Sequence, residues 1–374
     1  MHGRSLTILR SAVLIWSTVW LPLLADAGTM DSSAGPIRIE TVAKGFDTPW
    51  SLAFLPDGGI LVTERGGRLV HLADGTAATV RGTPKVYAQG QGGLLDVMVP
   101  RDFPETRHVY LSFALPQPGG GAGTALGLGR LSDDGAALEG FRVIFQMSPG
   151  SSGGRHFGSR IVEAPDGHIF LTMGERGEAE AAQDLSRHNG SIVRLNPDGT
   201  VPADNPFAGR SGAAPEIWSY GHRNPQGAAL DARGNLWAVE HGAMGGDEVN
   251  RIRKGANYGW PVIAYGRHYS GGRIGVGTAK PGMEQPAHYW DPSIAPSGLM
   301  IYSGRLWPEW RGDFFVGSLK FDLISRLDGA DLHEAERLSS SETARVRDIR
   351  EAPDGTIWFI SEDDGAIYRL SPAD

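Results

Sequence analysis

The chain has 374 residues, 40% of them hydrophobic and 21% charged, with formal net charge -8 and no cysteine. That balance gives no support to nucleic-acid binding, which needs a basic face, and excludes a disulfide-stapled scaffold. With 53 glycines, 24 prolines and few long helical patterns, an all-β chain of many short strands is expected.

The first residues read as an address. His2, Arg4 and Arg10 form a basic start, residues 11–24 are mainly apolar, and Ala25-Asp26-Ala27 has the form of a signal-peptide cleavage site. Residues 1–27 are expected to be a cleaved export signal that takes the mature protein to the periplasm or outside the cell. The apolar run is short for a permanent membrane anchor, and no later segment is apolar enough to span a bilayer. Residues 28–35, small and polar, are expected to form a flexible lead-in.

A repeated unit then begins. Trp50-Ser51-Leu52-Ala53-Phe54-Leu55, the turn Pro56-Asp57-Gly58-Gly59 and Ile60-Leu61-Val62-Thr63-Glu64 read as strand, tight turn and strand, with a third strand at residues 68–72. The form returns around Pro165-Asp166-Gly167-His168, Arg233-Gly234-Asn235 and Pro353-Asp354-Gly355-Thr356. Two copies lack the Asp-Gly turn: residues 94–98 with 109–113, and 298–302 with 313–317. The stretch from Leu115 to Gly129 reads as a low-complexity insert. Six strand hairpins at this scale predict a radial architecture, a six-bladed β-propeller over residues 36–374 with long inter-blade loops. A β-sandwich with extra strands is the alternative; at this length it would need two domains, and no shift in composition divides residues 36–374.

Residues that could carry chemistry lie between the units, where propeller loops meet over the axis. Gln91 sits on a glycine-flanked turn. His156, in Gly153-Gly154-Arg155-His156-Phe157-Gly158, suits general-base work, and Glu175 could orient it; the alternatives are an exposed loop histidine and a surface Glu175–Arg176 pair. Arg223 and Asn224 precede a proline in His222-Arg223-Asn224-Pro225 and could hold a carboxylate or an oxyanion. The loop Glu240-His241-Gly242-Ala243-Met244-Gly245-Gly246-Asp247-Glu248 offers carbonyls and carboxylates that suit a hard cation such as calcium, or is an acidic turn. Lys320, Arg345, Arg347 and Arg223 could form a positive funnel for an anionic ligand inside an acidic protein, or be scattered solvated charges.

Together and in order, these motifs resemble the soluble pyrroloquinoline-quinone-dependent sugar dehydrogenases, in particular the exported aldose sugar dehydrogenase branch. The likeness runs from about Phe46 to Leu370. It rests on Gln91-Gly92-Gly93-Leu94-Leu95, Arg155-His156-Phe157-Gly158, His222-Arg223-Asn224-Pro225-Gln226-Gly227, Glu240-His241-Gly242, Gly246-Asp247-Glu248-Val249-Asn250, Asn257-Tyr258-Gly259-Trp260-Pro261, Ala295-Pro296-Ser297 and Arg345-Val346-Arg347-Asp348. The resemblance implies a six-bladed propeller that oxidises the C1 hydroxyl of aldose sugars to aldonolactones. His156 would be the general base, Glu175 its support, and Arg223 a stabiliser of charge on the quinone. Gln91, Arg223, Asn224, Tyr269, Ser293, Lys320, Arg345 and Arg347 would hold pyrroloquinoline quinone. The carbonyls of Gly242 and Ala243 would bind the cofactor's calcium, with Ala243 where the family often has proline; Glu248 and the Tyr258 carbonyl would bind a second, structural calcium. The loop at 264–284, which holds Tyr269, matches the family poorly. The resemblance further implies an aldose sugar as substrate and an external electron acceptor, a quinone or a redox protein.

Two other readings compete. A calcium-dependent propeller lactonase would bring several side-chain oxygens to one metal and would not need the Lys and Arg funnel. A non-catalytic exported propeller that binds glycans or proteins would not need His156 and Arg223. A nicotinamide enzyme is excluded by the lack of a glycine-rich strand-turn-helix fingerprint.

Overall fold

The computed structural model describes residues 28–118 and 120–373; the expected export signal at residues 1–27 lies outside them. Six antiparallel sheets follow one another along the chain. The first holds Pro49–Phe54, Ile60–Glu64, Leu69–Ala73 and Thr76–Val80, in that order from the axis outward. The inner strands of the others are Leu94–Met98, Ile161–Glu163, Pro225–Leu230, Pro296–Ile301 and Val346–Glu351. Each inner strand touches the next and the sixth touches the first, so the sheets close into a six-bladed β-propeller.

The turns after four of the inner strands share one backbone geometry, in which Gly58, Gly167, Gly234 and Gly355 donate their N–H to the carbonyl three residues back. Three are Asp-Gly turns, in which Asp57, Asp166 and Asp354 each accept, through Oδ1, a backbone N–H two residues on, at 3.0–3.2 Å; Asp231 stands two places earlier in its turn and accepts from Arg233 and Asn235 N–H at 2.9 Å each. Gly58, Gly167, Gly234 and Gly355 follow with φ between 77° and 89°, a region glycine enters without steric cost. The core is divided among the seams between blades. Leu61 and Leu69 pack with Leu94, Leu111 and Phe113 between the first and second blades, and Met300 and Phe315 pack with Ile349 and Phe359 between the fifth and sixth. Each such fully buried side chain contributes on the order of 1.5–3 kcal/mol.

Two expectations are corrected. Residues 28–35 are not a free lead-in: Gly28–Met30 pairs antiparallel with Ile37–Lys44, which itself pairs with Ala366–Pro372. The N-terminal strands thereby complete the last blade, because an unpaired outer edge there would leave backbone donors and acceptors without partners. The stretch from Leu115 to Gly129 is mostly strand, since His108–Pro116 and Ala122–Leu131 form a long hairpin whose inward residues are buried.

A buried ion network sits where the inner strands converge. Arg160 lies 2.8 Å from Asp96 and 3.1 Å from Asp348, and Arg350 lies 3.0 Å from each of the same two carboxylates. Two cations and two anions balance, which a dry interior requires.

Candidate active site

The loops that lead into the inner strands and those that leave the second strands meet over one end of the axis and enclose a cavity of about 850 Å³. Of the residues singled out in the sequence, Gln91, Gly242, Ala243, Tyr269, Ser293, Lys320, Arg345 and Arg347 line it. Trp50, Arg65, Gln226, His241, Arg267 and Asp291 line it as well. Tyr269 stands at the mouth, 75% exposed. None of residues 184–215 is among the lining residues, whereas the 264–284 loop contributes Arg267 and Tyr269. A second hollow, of about 770 Å³, opens at the other end of the propeller between the fourth and fifth blades, but no histidine and no lysine line it. Chemistry, not size, singles out the first.

Glu175, Arg223 and Asn224 form the layer behind the cavity wall, and His156 stands at its edge beside Gln91, its side chain 10% exposed. His156 Nδ1 lies 2.5 Å from Glu175 Oε1, and the His156 backbone N–H donates to Gln91 Oε1 at 2.7 Å. The sequence alternative of a surface Glu175–Arg176 pair does not form. Glu175 is buried against the histidine, and Arg176 instead donates to the carbonyls of Gly153 and Arg155, bracing the loop that carries His156. His156 holds φ 57°, rare for a non-glycine residue, and Gly174 packs so closely that a Cβ there would meet the His156 carbonyl oxygen at 2.0 Å. Burial lowers the imidazole's pKa and the Arg223 charge adds to this, outweighing the hydrogen bond to Glu175. The ring is therefore neutral at pH 7, with Nδ1–H on the carboxylate and Nε2 bare.

Asn224 accepts the Gly158 N–H at 3.1 Å and so shapes the same loop. Arg223 donates through Nη1 to the carbonyls of His241 and Gly242, and its guanidinium lies 5.2 Å from the centre of the Trp260 ring. It thus leaves the expected cationic funnel, to which the structure adds Arg65 and Arg267 beside Lys320, Arg345 and Arg347. His241 donates from Nε2 to the Pro296 carbonyl at 2.7 Å, and burial, then the Arg223 charge, pushes its pKa down to about 3.

The Gly242–Gly246 turn is framed by Asp247, which accepts from Gly242 N–H at 2.8 Å, Ala295 N–H at 2.8 Å and Ser293 Oγ at 2.6 Å. Ser293 therefore lines the cavity and anchors the turn together. The turn is crowded with oxygen: a Cβ on Gly242 would meet the carbonyls of Gly245 and Gly246 at 2.2 and 2.4 Å. Beneath it a small cavity of about 20 Å³ is lined by Arg223, Glu240, Gly242, Gly246, Glu248 and Tyr258. Asn250 Nδ2 bridges Glu240 and Glu248 at 3.0 Å each. Burial, then the neighbouring Glu240 charge, pushes the Glu248 carboxyl up to about 8, while Glu240 is held low by His222 at 2.9 Å. Converging carbonyls and the Glu248 carboxylate, which has no ion-pair partner among the described residues, make a donor set that fits calcium, with Arg223 turned onto the His241 and Gly242 carbonyls. The main cavity, with its arginines and its lysine, fits a polyanion.

Sequence reasoning did not single out Gln226, His241 or Glu362 for any role, and brought Glu240 and Asp247 forward only as carboxylates of a loop that suits a hard cation. All but Glu362 stand inside the matched motifs, so their place in the chain was a signal; their partners are distant in sequence and gave none.

The profile of the family described as Glucose / Sorbosone dehydrogenase matches residues 46–369. The aldose sugar dehydrogenase YliI of Escherichia coli (strain K12) is 42% identical over 361 residues, spanning 94% of this chain and 97% of that protein. The crystal structure of the soluble aldose sugar dehydrogenase from Escherichia coli in its apo form superposes with a TM-score of 0.88 at 42% identity, covering 90% of this chain and 100% of that one. The PQQ-bound aldose sugar dehydrogenase from Streptomyces coelicolor superposes with a TM-score of 0.73 at 26% identity, covering 90% and 98%. The chain belongs to the glucose/sorbosone dehydrogenase family.

Proposed function

We propose that this sugar dehydrogenase oxidises the C1 hydroxyl of aldose sugars to aldonolactones, with pyrroloquinoline quinone and calcium in the 850 Å³ cavity. The observation that carries the reading is the buried His156–Glu175 pair set behind Gln91 at the edge of a cation-lined cavity. Pyrroloquinoline quinone, when bound, supplies the acceptor for the two electrons and the hydrogen that leave C1. The chain's own work is orientation and proton transfer. His156 Nε2 takes the C1 hydroxyl proton, and Glu175 steadies the imidazolium that results. Lys320, Arg345 and Arg347 would hold the carboxylates of the quinone, Gln91 would help seat it, and Tyr269 would border it at the mouth. Arg223 keeps a positive charge behind Gly242, where negative charge develops, and Asn224 keeps the His156 loop in place. The carbonyls of Gly242 and Ala243 would hold the cofactor's calcium. The Gly242 carbonyl has two lone pairs, so it can serve Arg223 and a cation together. Glu248 and the Tyr258 carbonyl would hold a second, structural calcium.

Turnover requires an external electron acceptor, a quinone or a redox protein. Among the described residues no helix is long and apolar enough to cross a membrane. With the export signal read in residues 1–27, this supports a periplasmic or secreted enzyme.

The test is dye reduction by purified protein given pyrroloquinoline quinone, calcium and a panel of aldoses. Turnover that needs the quinone supports the reading. Lactone hydrolysis with calcium alone would replace it with the lactonase, and sugar binding without either reaction would replace it with a binding propeller.

A further inference from the structure

Arg345 and Arg347 face the cavity from one short segment, and like charges so placed repel. Glu362, just past the strand Ile357–Ser361, lies between them. Its Oε1 accepts from Arg345 Nε at 3.1 Å and its Oε2 from Arg347 Nε at 2.5 Å. The second hold on each arginine comes from elsewhere: Arg345 Nη1 donates to the Leu319 carbonyl at 2.9 Å, and Arg347 Nη1 to Gln226 Oε1 at 3.0 Å. Each guanidinium is thus fixed at two nitrogens, and the Nη2 of each keeps no hydrogen-bond partner among the described residues. The Glu362 side chain is 10% exposed and that of Arg347 is 6% exposed, so water screens this pair little, whereas Arg345, 36% exposed, is partly screened. Asp363, exposed and 3.9 Å from Arg345, is a weak second anion.

The backbone is committed to the same arrangement. Arg345 adopts φ 48°, uncommon for a non-glycine residue. That conformation is held by Asp322 Oδ1, which accepts the Arg345 N–H at 2.9 Å, and by the Arg345 carbonyl, which accepts the Glu362 N–H at 3.1 Å.

We infer that Glu362 is a positioning residue that clamps Arg345 and Arg347 as a preformed pair whose free Nη2 groups receive a ligand carboxylate. Two effects oppose each other here. A negative charge near an anion site weakens it through space, whereas fixing two long side chains in advance removes the entropy lost on binding. Without Glu362, Arg347 would also be a nearly buried cation short of its anion, free to turn toward other acceptors. Preorganisation is the larger effect where the clamp is buried, at Glu362 and Arg347.

The inference rests on the quinone reading, and its test separates the two. Pyrroloquinoline quinone is titrated into the calcium-supplied protein and followed by tryptophan fluorescence, since Trp50 lines the cavity. For Glu362→Gln the expected Kd is about ten- to a hundredfold higher than wild type, by analogy with the loss of a partner that orients a metal-binding side chain. The same substitution in an Arg345→Ala background should cost clearly less, because one of the two side chains it positions is already gone. If Glu362→Gln fails to melt cooperatively, Glu362→Asp, which keeps the charge but shortens the reach, takes its place and should also weaken binding. A wild type that does not bind the quinone sinks the quinone reading and this inference with it. A wild type that binds, beside a variant that binds equally or more tightly, overturns the clamp alone. So does an equal loss in both backgrounds, which would mark general structural damage.

Discussion

His156 Nδ1 and Glu175 Oε1 lie 2.5 Å apart, both residues buried, in a loop fastened by Gln91 and Arg176. The carboxylate decides which ring nitrogen carries the proton, and so which one can receive another. Replacing Glu175 by Gln leaves a hydrogen bond but no charge to balance an imidazolium. We expect Glu175→Gln to lower kcat by about a hundredfold and His156→Ala by 10²–10⁴-fold, on the order of a positioned base's contribution. Quinone affinity should change little in either. Steady-state dye reduction beside a binding titration checks both halves.

The acid limb of the activity profile follows from the same pair. Burial holds the His156 pKa below its ordinary 6.5. The neutral, competent form therefore persists below pH 6.5, and activity is lost only as pH falls through the lowered folded-state value. In Glu175→Gln the charge that favours imidazolium is gone, so the limb should move to still lower pH. A kcat/KM profile between pH 4 and 8, recorded for both proteins, tests the direction; a limb at or above 6.5 in wild type would contradict it.

Calcium should stabilise the fold through Glu248. Without a cation this carboxyl is pushed up to about 8 by burial and by Glu240. A raised carboxyl favours the folded state at low pH, and that contribution is lost as pH rises from about 4.5 through about 8. Calcium binds the ionised form, so its stabilising effect should grow over the same window. At a hundredfold excess over Kd the gain is about 2.7 kcal/mol. Melting scans with calcium and with chelator at pH 5 and pH 8 would show it, and Glu248→Gln should abolish most of the difference.

The axial network predicts a stability effect separate from the chemistry. Arg160→Met would leave Asp96 and Asp348 sharing Arg350 alone in a buried site. Loss of one partner from such a network costs about 3–5 kcal/mol. Denaturant unfolding should show that loss, and quinone affinity measured well below the transition should stay close to wild type.

The propeller was legible because its signals are local. Alternating apolar residues, and an aspartate that caps its own turn two residues on, act within a dozen residues. Three Asp-Gly turns and the Asp231–Asn235 turn therefore announced four blades, and matching apolar runs supplied the fifth and sixth. Composition misled in two places. Residues 28–35 read as a flexible lead-in and 115–129 as a low-complexity insert; Gly28–Met30 is a strand because it covers the outer edge of the last blade, and 115–129 is mostly strand because it pairs with strands on both sides in the middle of the second.

The site was legible as a set of residues but not as an arrangement. Spacing and resemblance brought His156, Glu175, Gln91 and the arginines forward. Only closure of six blades put Gln226 against Arg347, 121 residues away, and Ser51 against Asp348, 297 residues away. The same closure turned Arg223 onto the Gly242 carbonyl and placed Glu362 between two arginines. Sequence alone determined what repeats along the chain, since turns and strand periodicity are short-range. Tertiary structure decided which charges face one another, since that depends on blade geometry and on the dry interior where an unpaired charge is too costly to leave.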